Sequence, residues 1–95
     1  MACYVYVLGS INPTGLRTYV GWTNDLHRRL QKHNSGSGAR FTRGRHWLIL
    51  YAERYRNRTD SMRREWELKK DRKFRRALRA NLKHFIEIER SSGKK

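Results

Sequence analysis

The chain has one cysteine, Cys3, one proline, Pro13, and only 8 acidic residues against 23 Lys and Arg. A single cysteine excludes an intrachain disulfide and a thiolate zinc cluster. No stretch approaches the roughly 20 apolar residues that span a bilayer. Nothing at the N-terminus reads as the charged and then apolar segments of a secretory signal. A cytoplasmic protein is the expectation by elimination. The shortage of acids leaves a net charge of +15. Such an excess opposes compaction by self-repulsion, and a polyanion relieves it.

Nucleic acid is the default polyanion, DNA ahead of RNA. An anionic membrane surface ranks behind it, because no helix joins a basic face to a broad aromatic and aliphatic one. Arg outnumbers Lys, which suits bidentate contact with phosphate oxygens and stacking on bases. None of this bears on catalysis. At 95 residues the chain is one domain's worth. Hydrophobic residues at 37% are few, but aromatics at 12% are too many for a disordered tail. The expectation is one folded domain over residues 1–90 with a small core, followed by a frayed basic tail over residues 91–95.

Cys3 to Leu8 is aromatic and β-branched and reads as a buried strand. The run Gly9 to Gly15 is dense in turn formers and is expected to loop out. Arg17 to Trp22 returns as the second strand of a hairpin. Thr23 or Asn24 caps a helix that carries Leu26 and Leu30 up to about His33, and a polar loop from Asn34 to Gly38 follows. Trp47 to Tyr55 is a third strand. Thr59 opens a helix whose Met62 and Trp66 are assigned to the core. Phe74, Leu78, Leu82, Phe85 and Ile86 form the apolar stripe of a last helix. The order β-β-α-β-α-α implies an α+β fold, a three-stranded antiparallel sheet flanked by helices.

A tyrosine stands in each hairpin strand, Tyr6 in Tyr4-Val5-Tyr6 and Tyr19 in Tyr19-Val20-Gly21. Arg29 lies ten residues after Tyr19, His33 four further on, and Glu65 on the helix after the third strand. In order and spacing this resembles the GIY-YIG nuclease family, and most of all its small single-domain bacterial subgroup. The likeness runs from Tyr4 to about Lys70. It implies a metal-dependent nuclease acting in DNA repair or processing, as an endonuclease or exonuclease. By the same resemblance Tyr6 and Tyr19 are the tyrosines of the two motifs, Arg29 the helix arginine, His33 the histidine after it and Glu65 the metal-binding acid. Two positions depart from the pattern. Trp22 stands where many members have lysine after the second motif, and Asn81 is the only candidate downstream of Glu65 for a late asparagine.

Phosphodiester hydrolysis needs a base near the water, a cation on the developing charge and help for the leaving oxygen. One carboxylate, Glu65, suffices to hold a single Mg²⁺ or Mn²⁺ with waters and phosphate completing the octahedron. Arg29 offers a fork of donors for phosphate oxygens. Tyr19 takes a proton from water if nearby positive charge lowers its pKa from about 10. Tyr6 orients the water or phosphate, and His33 relays a proton or binds phosphate. Arg28 and Lys32 on the same helix extend the basic surface. In the loop Ser35 to Arg45, Arg40, Arg43 and Arg45 supply charge, Phe41 stacks on an unpaired base, and glycines admit phosphates closely.

Each residue also has an ordinary role. The tyrosines are at home in a sheet, Glu65 pairs with Lys69 at helical spacing, and His33 as a cation favours a helix C-terminus. The competing function is a non-catalytic DNA- or RNA-binding protein. Against it stands Glu65 on so basic a helix, because a pure binder gains nothing from an acid facing nucleic acid. No side chains match a known duplex-reading motif, so selectivity for structure over sequence is expected.

Overall fold

The computed structural model describes residues 2–12 and 15–81. In chain order come β1 (Cys3–Asn12), β2 (Gly15–Thr23), α1 (Leu26–Ser35), a short 3₁₀ turn at Arg40–Thr42, β3 (Trp47–Tyr55) and α2 (Arg58–Lys70). A third helix, α3, occupies residues 72–81. The order is the expected β-β-α-β-α-α. The sheet is antiparallel throughout, with β1 at its centre between β2 and β3.

Strand alternation sorts the side chains onto two faces. Val5 and Val7 turn to one face and meet Val20 and Leu68, with Trp22, Tyr51, Tyr55, Phe74 and Leu78 around them. That face lies under α2 and α3. Tyr6 and Leu8 turn to the other and pack with Trp47, Tyr19, Leu26 and Leu30, the last two from α1.

Local expectations fail where tertiary partners outweigh composition. The Gly9–Gly15 run reads as a loop, yet β1 continues through it until Asn12 lies opposite Gly15. Gly9 and Ser10 are paired on both sides, with Thr18 and Arg17 in β2 and with Leu48 and Trp47 in β3. Two ladders outweigh a weak strand propensity. The α1 cap is Asp25, not Thr23 or Asn24: its carboxylate accepts from Arg28 N at 3.1 Å, and Thr23 Oγ1 accepts from Asp25 N. Met62 and Trp66 are not core residues; they are 45% and 59% exposed. The buried side of α2 is Ser61 and Leu68 instead, and Lys70 Nζ covers the Trp66 ring at 3.4 Å. Leu82, Phe85 and Ile86 and the tail 91–95 lie outside the described residues.

A carboxylate anchors α2 to the sheet. Tyr51 and Tyr55 both donate to Glu53 on β3, and Arg64 of α2 adds Nε to Oε1 at 2.9 Å and Nη2 to Oε2 at 3.1 Å. Burial pushes the Glu53 pKa up, but the donors from Arg64, Tyr51 and Tyr55 outweigh it and hold it below the ordinary value. A group depressed in this way stabilises the fold fully above its unfolded pKa, about 4.3, and less as pH falls through its folded value. The melting temperature is therefore expected to decline on acidification below about pH 4.3. Glu53→Gln should melt lower at neutral pH and lose part of that acid dependence. An equally steep acid decline in the variant would assign the effect to other carboxylates.

Candidate active site

Tyr6 on the central strand and Tyr19 on β2 project from the same face, because Tyr6 pairs with Gly21 and Leu8 with Tyr19. Their ring centroids lie 6.5 Å apart. Gly21 makes room for this. A Cβ there would lie 2.5 Å from the Tyr6 hydroxyl oxygen and 2.7 Å from Cζ, so any larger residue displaces the phenol.

His33 comes up beneath the pair from the last turn of α1 and is fully buried. Its Nε2 lies 3.0 Å from the Tyr6 oxygen and its Nδ1 2.9 Å from Thr42 Oγ1. The network fixes the protons. Thr42 donates its own hydrogen to Ala39 O at 2.7 Å, so toward His33 it can only accept. Nδ1 therefore carries the ring proton, Nε2 accepts, and the Tyr6 hydroxyl donates to it. Burial and then the charge of Arg29 lower the His33 pKa, which keeps the ring neutral. Neither the helix-terminal cation nor a direct phosphate ligand fits a buried, neutral ring with both nitrogens engaged. What His33 does in this structure is hold the Tyr6 hydroxyl.

Thr42 is in turn held by Trp47, whose Nε1 donates to Thr42 O at 2.8 Å. Asn34 clamps the Trp47 backbone from both sides, accepting from its N–H at 2.6 Å and donating to its carbonyl at 3.1 Å. Sequence reasoning missed Thr42 and placed Asn34 in a polar loop. The signal for Thr42 was faint, one hydroxyl among arginines; Asn34 is the penultimate residue of α1.

Arg29 is half-buried, and its charge acts on Tyr6, Tyr19 and His33 alike. Its Nε is buried and has no hydrogen-bond partner among the described residues. A buried donor left open beside two phenols suits an incoming anionic oxygen. Arg28, Arg29 and Lys32 share one cleft of about 260 Å³ with Thr23, Asn24 and Asp25.

Glu65 is half-buried on α2, 3.8 Å from Lys69 Nζ, so the surface ion pair exists. Its charge also raises the pKa of both phenols, which places the carboxylate in the field of Tyr6 and Tyr19. Among the described residues no three His, Cys, Asp or Glu gather as a metal cluster. A cation here would rest on one protein carboxylate, a donor set that fits a hard, largely hydrated ion.

The condition set for Tyr19 as a base is not met in the free protein. Burial raises its pKa first and Glu65 adds to it, while Arg29 only partly offsets them. Tyr6 is pushed up further, to about 12, with burial again the main cause.

The loop residues divide. Phe41 is 48% exposed and stacks on Tyr19, centroids 6.2 Å apart, with Arg17 over its ring. Arg40 and Arg43 are exposed. Arg45 instead straps the hairpin: Nε donates to Ser10 Oγ at 3.2 Å and Nη2 to Gly15 O at 2.8 Å, beside the Trp47 ring. A guanidinium held this way is a structural tie and not an open phosphate contact. Trp22 belongs to the opposite sheet face, with Arg58 over its ring at 5.2 Å, so it takes no place beside the phenols. Asn81 is exposed on α3.

The family described as GIY-YIG catalytic domain matches residues 2–78. The chain is 40% identical over 68 residues to UPF0213 protein CPE1444 of Clostridium perfringens, covering 70% of each. It is 39% identical over 67 residues to UPF0213 protein NP_0776A of Natronomonas pharaonis, covering 70% of this chain and 75% of that one. The solution NMR structure of UPF0213 protein BH0048 from Bacillus halodurans aligns over 82% of both chains at 36% identity, with a TM-score of 0.46.

Proposed function

The chain belongs to the GIY-YIG family of nuclease-type catalytic domains, and we propose on that premise that it is a metal-dependent nuclease hydrolysing DNA phosphodiesters. It selects structure over sequence and serves repair or processing of DNA. What supports the reading is the Tyr6–Tyr19 ring pair, 6.5 Å between centroids, with the charges of Arg29 and Glu65 acting on both phenols and a buried Arg29 Nε that has no hydrogen-bond partner among the described residues.

Each side chain has a task in this reading. Arg29 donates to the phosphate oxygens on which charge develops. Tyr6, its hydrogen committed to His33, presents oxygen lone pairs that accept from and orient the attacking water. Tyr19 receives the water's proton. Its raised pKa makes the phenolate a minority form at neutral pH, so cleavage accelerates as pH rises toward that pKa. Glu65 would hold Mg²⁺ or Mn²⁺, which supplies polarisation of the phosphate and stabilisation of the leaving oxygen. Arg28 and Lys32 seat the phosphodiester backbone in the cleft beside Arg29, Arg40 and Arg43 add phosphate contacts, and Phe41 offers its exposed ring to a base.

The test is to incubate the purified protein with duplex, single-stranded and branched DNA, and with RNA, in Mg²⁺, Mn²⁺ or EDTA. DNA should be cut with metal and remain intact in EDTA. With roughly six to eight phosphate contacts, affinity should fall by about three to four orders of magnitude between 50 and 200 mM salt. Tight, salt-sensitive binding without cleavage in any metal would establish a non-catalytic binder instead. Among the described residues no helix is long and apolar enough to cross a membrane.

A further inference from the structure

On the far side of the sheet from the phenols, α3 presents Arg72, Arg75, Arg76 and Arg79. The spacing i, i+3, i+4, i+7 puts all four on one stripe of a helix. With Thr18 of β2 they line a pocket of about 190 Å³. Among the described residues none of the four makes an ion pair with an acid. Arg75 is tied at one end, Nη2 donating to Lys69 O at 2.6 Å, while its Nε is buried and has no hydrogen-bond partner among the described residues. Like charges gathered around a concavity repel one another and need an anion.

We infer that this arginine pocket binds the phosphates of a single-stranded extension of the substrate, on the sheet face opposite the phenol pair. The inference rests on the nuclease reading above. Three observations choose the ligand. The stripe rises about 10 Å along the helix axis, the length of roughly three nucleotides of one strand. The apolar side of α3, Phe74 and Leu78, is already packed on the core, so no apolar face remains to enter a membrane. Thr18 and Tyr19 are neighbours on β2, an edge strand, and point to opposite faces. A chain that touches both must turn around that edge within a few nucleotides. Duplex DNA, with a persistence length of about 150 bp, resists such a turn. A single strand makes it readily.

The test is the salt dependence of binding in EDTA, for a blunt duplex of about 20 bp and the same duplex carrying a single-stranded tail of about 10 nucleotides. The variant is Arg72→Gln/Arg76→Gln/Arg79→Gln, which keeps Arg75 and its tie to α2 and preserves helix propensity. Wild type should show a steeper slope on the tailed duplex. The triple variant should lose about two units of that slope, three phosphates at about 0.7 each, and none on the blunt duplex. It should also cut blunt duplex at the wild-type rate at saturating protein. Replacement of the same three residues by Lys should keep the slope. If the triple Gln variant fails to fold, Arg72→Gln and Arg76→Gln singly should each lose about 0.7. An unchanged slope on tailed DNA, with cleavage intact, overturns the inference and leaves the nuclease reading standing. Equal losses on blunt and tailed DNA overturn it in favour of a general basic surface. Lost binding to phosphatidylserine vesicles with DNA binding unchanged overturns it in favour of a membrane. A wild type that binds neither DNA overturns both readings together.

Discussion

Tyr19→Phe is expected to fold normally and to cleave DNA at about a hundredth of the wild-type rate or less. Only an oxygen is removed, from a half-buried ring whose packing partners are His33, Phe41 and Trp47. Stability should move little, because that hydroxyl makes no hydrogen bond among the described residues. The wild-type rate should climb with pH, since the phenolate is the reactive form and burial holds the Tyr19 pKa above 10. That climb should vanish in the variant. Tyr6→Phe is the instructive contrast: it leaves the buried His33 Nε2 without its donor, which costs about 1–3 kcal/mol of stability. Activity should fall there too, but by less. Measuring kcat against pH and thermal stability for both variants separates a residue that moves a proton from one that holds geometry. A Tyr19→Phe enzyme with wild-type kcat would assign the proton to another acceptor.

How much of this could be read from the sequence differs by element. Trp47–Tyr55 is legible to the residue, because its aromatic and aliphatic composition coincides with its pairing. The hairpin was legible as two strands but not in length, since Gly9 and Ser10 are held by neighbours far away in sequence. The face of α2 was illegible. Met62 and Trp66 are two of its three large apolar residues, yet the helix is docked by the third, Leu68, with the small Ser61 and the Arg64–Glu53 pair. In the site, Tyr6 and Tyr19 announce themselves through short motifs on adjacent strands. The role of His33 does not, because it depends on Thr42, nine residues on in a short 3₁₀ turn, and on which way one hydroxyl hydrogen points. The arginines of Ser35–Arg45 look alike in sequence, and only contacts with Ser10 and Gly15 single out Arg45 as a tie.

Glu65→Gln carries the central claim. The substitution removes one negative charge and keeps size and helix propensity nearly constant. If Glu65 holds the metal, cleavage should vanish, and raised Mg²⁺ or Mn²⁺ should restore it poorly. Affinity for the same DNA should stay equal or tighten slightly, because a carboxylate near the phosphodiester repels it. The surface pairing with Lys69 makes a different forecast, a few tenths of a kcal/mol of lost stability with activity untouched. Binding and cleavage of one DNA substrate, measured side by side on wild type and Glu65→Gln, therefore decide between them. Undiminished binding with no cutting is the predicted result; a variant that still cuts at the wild-type rate contradicts the proposed active site.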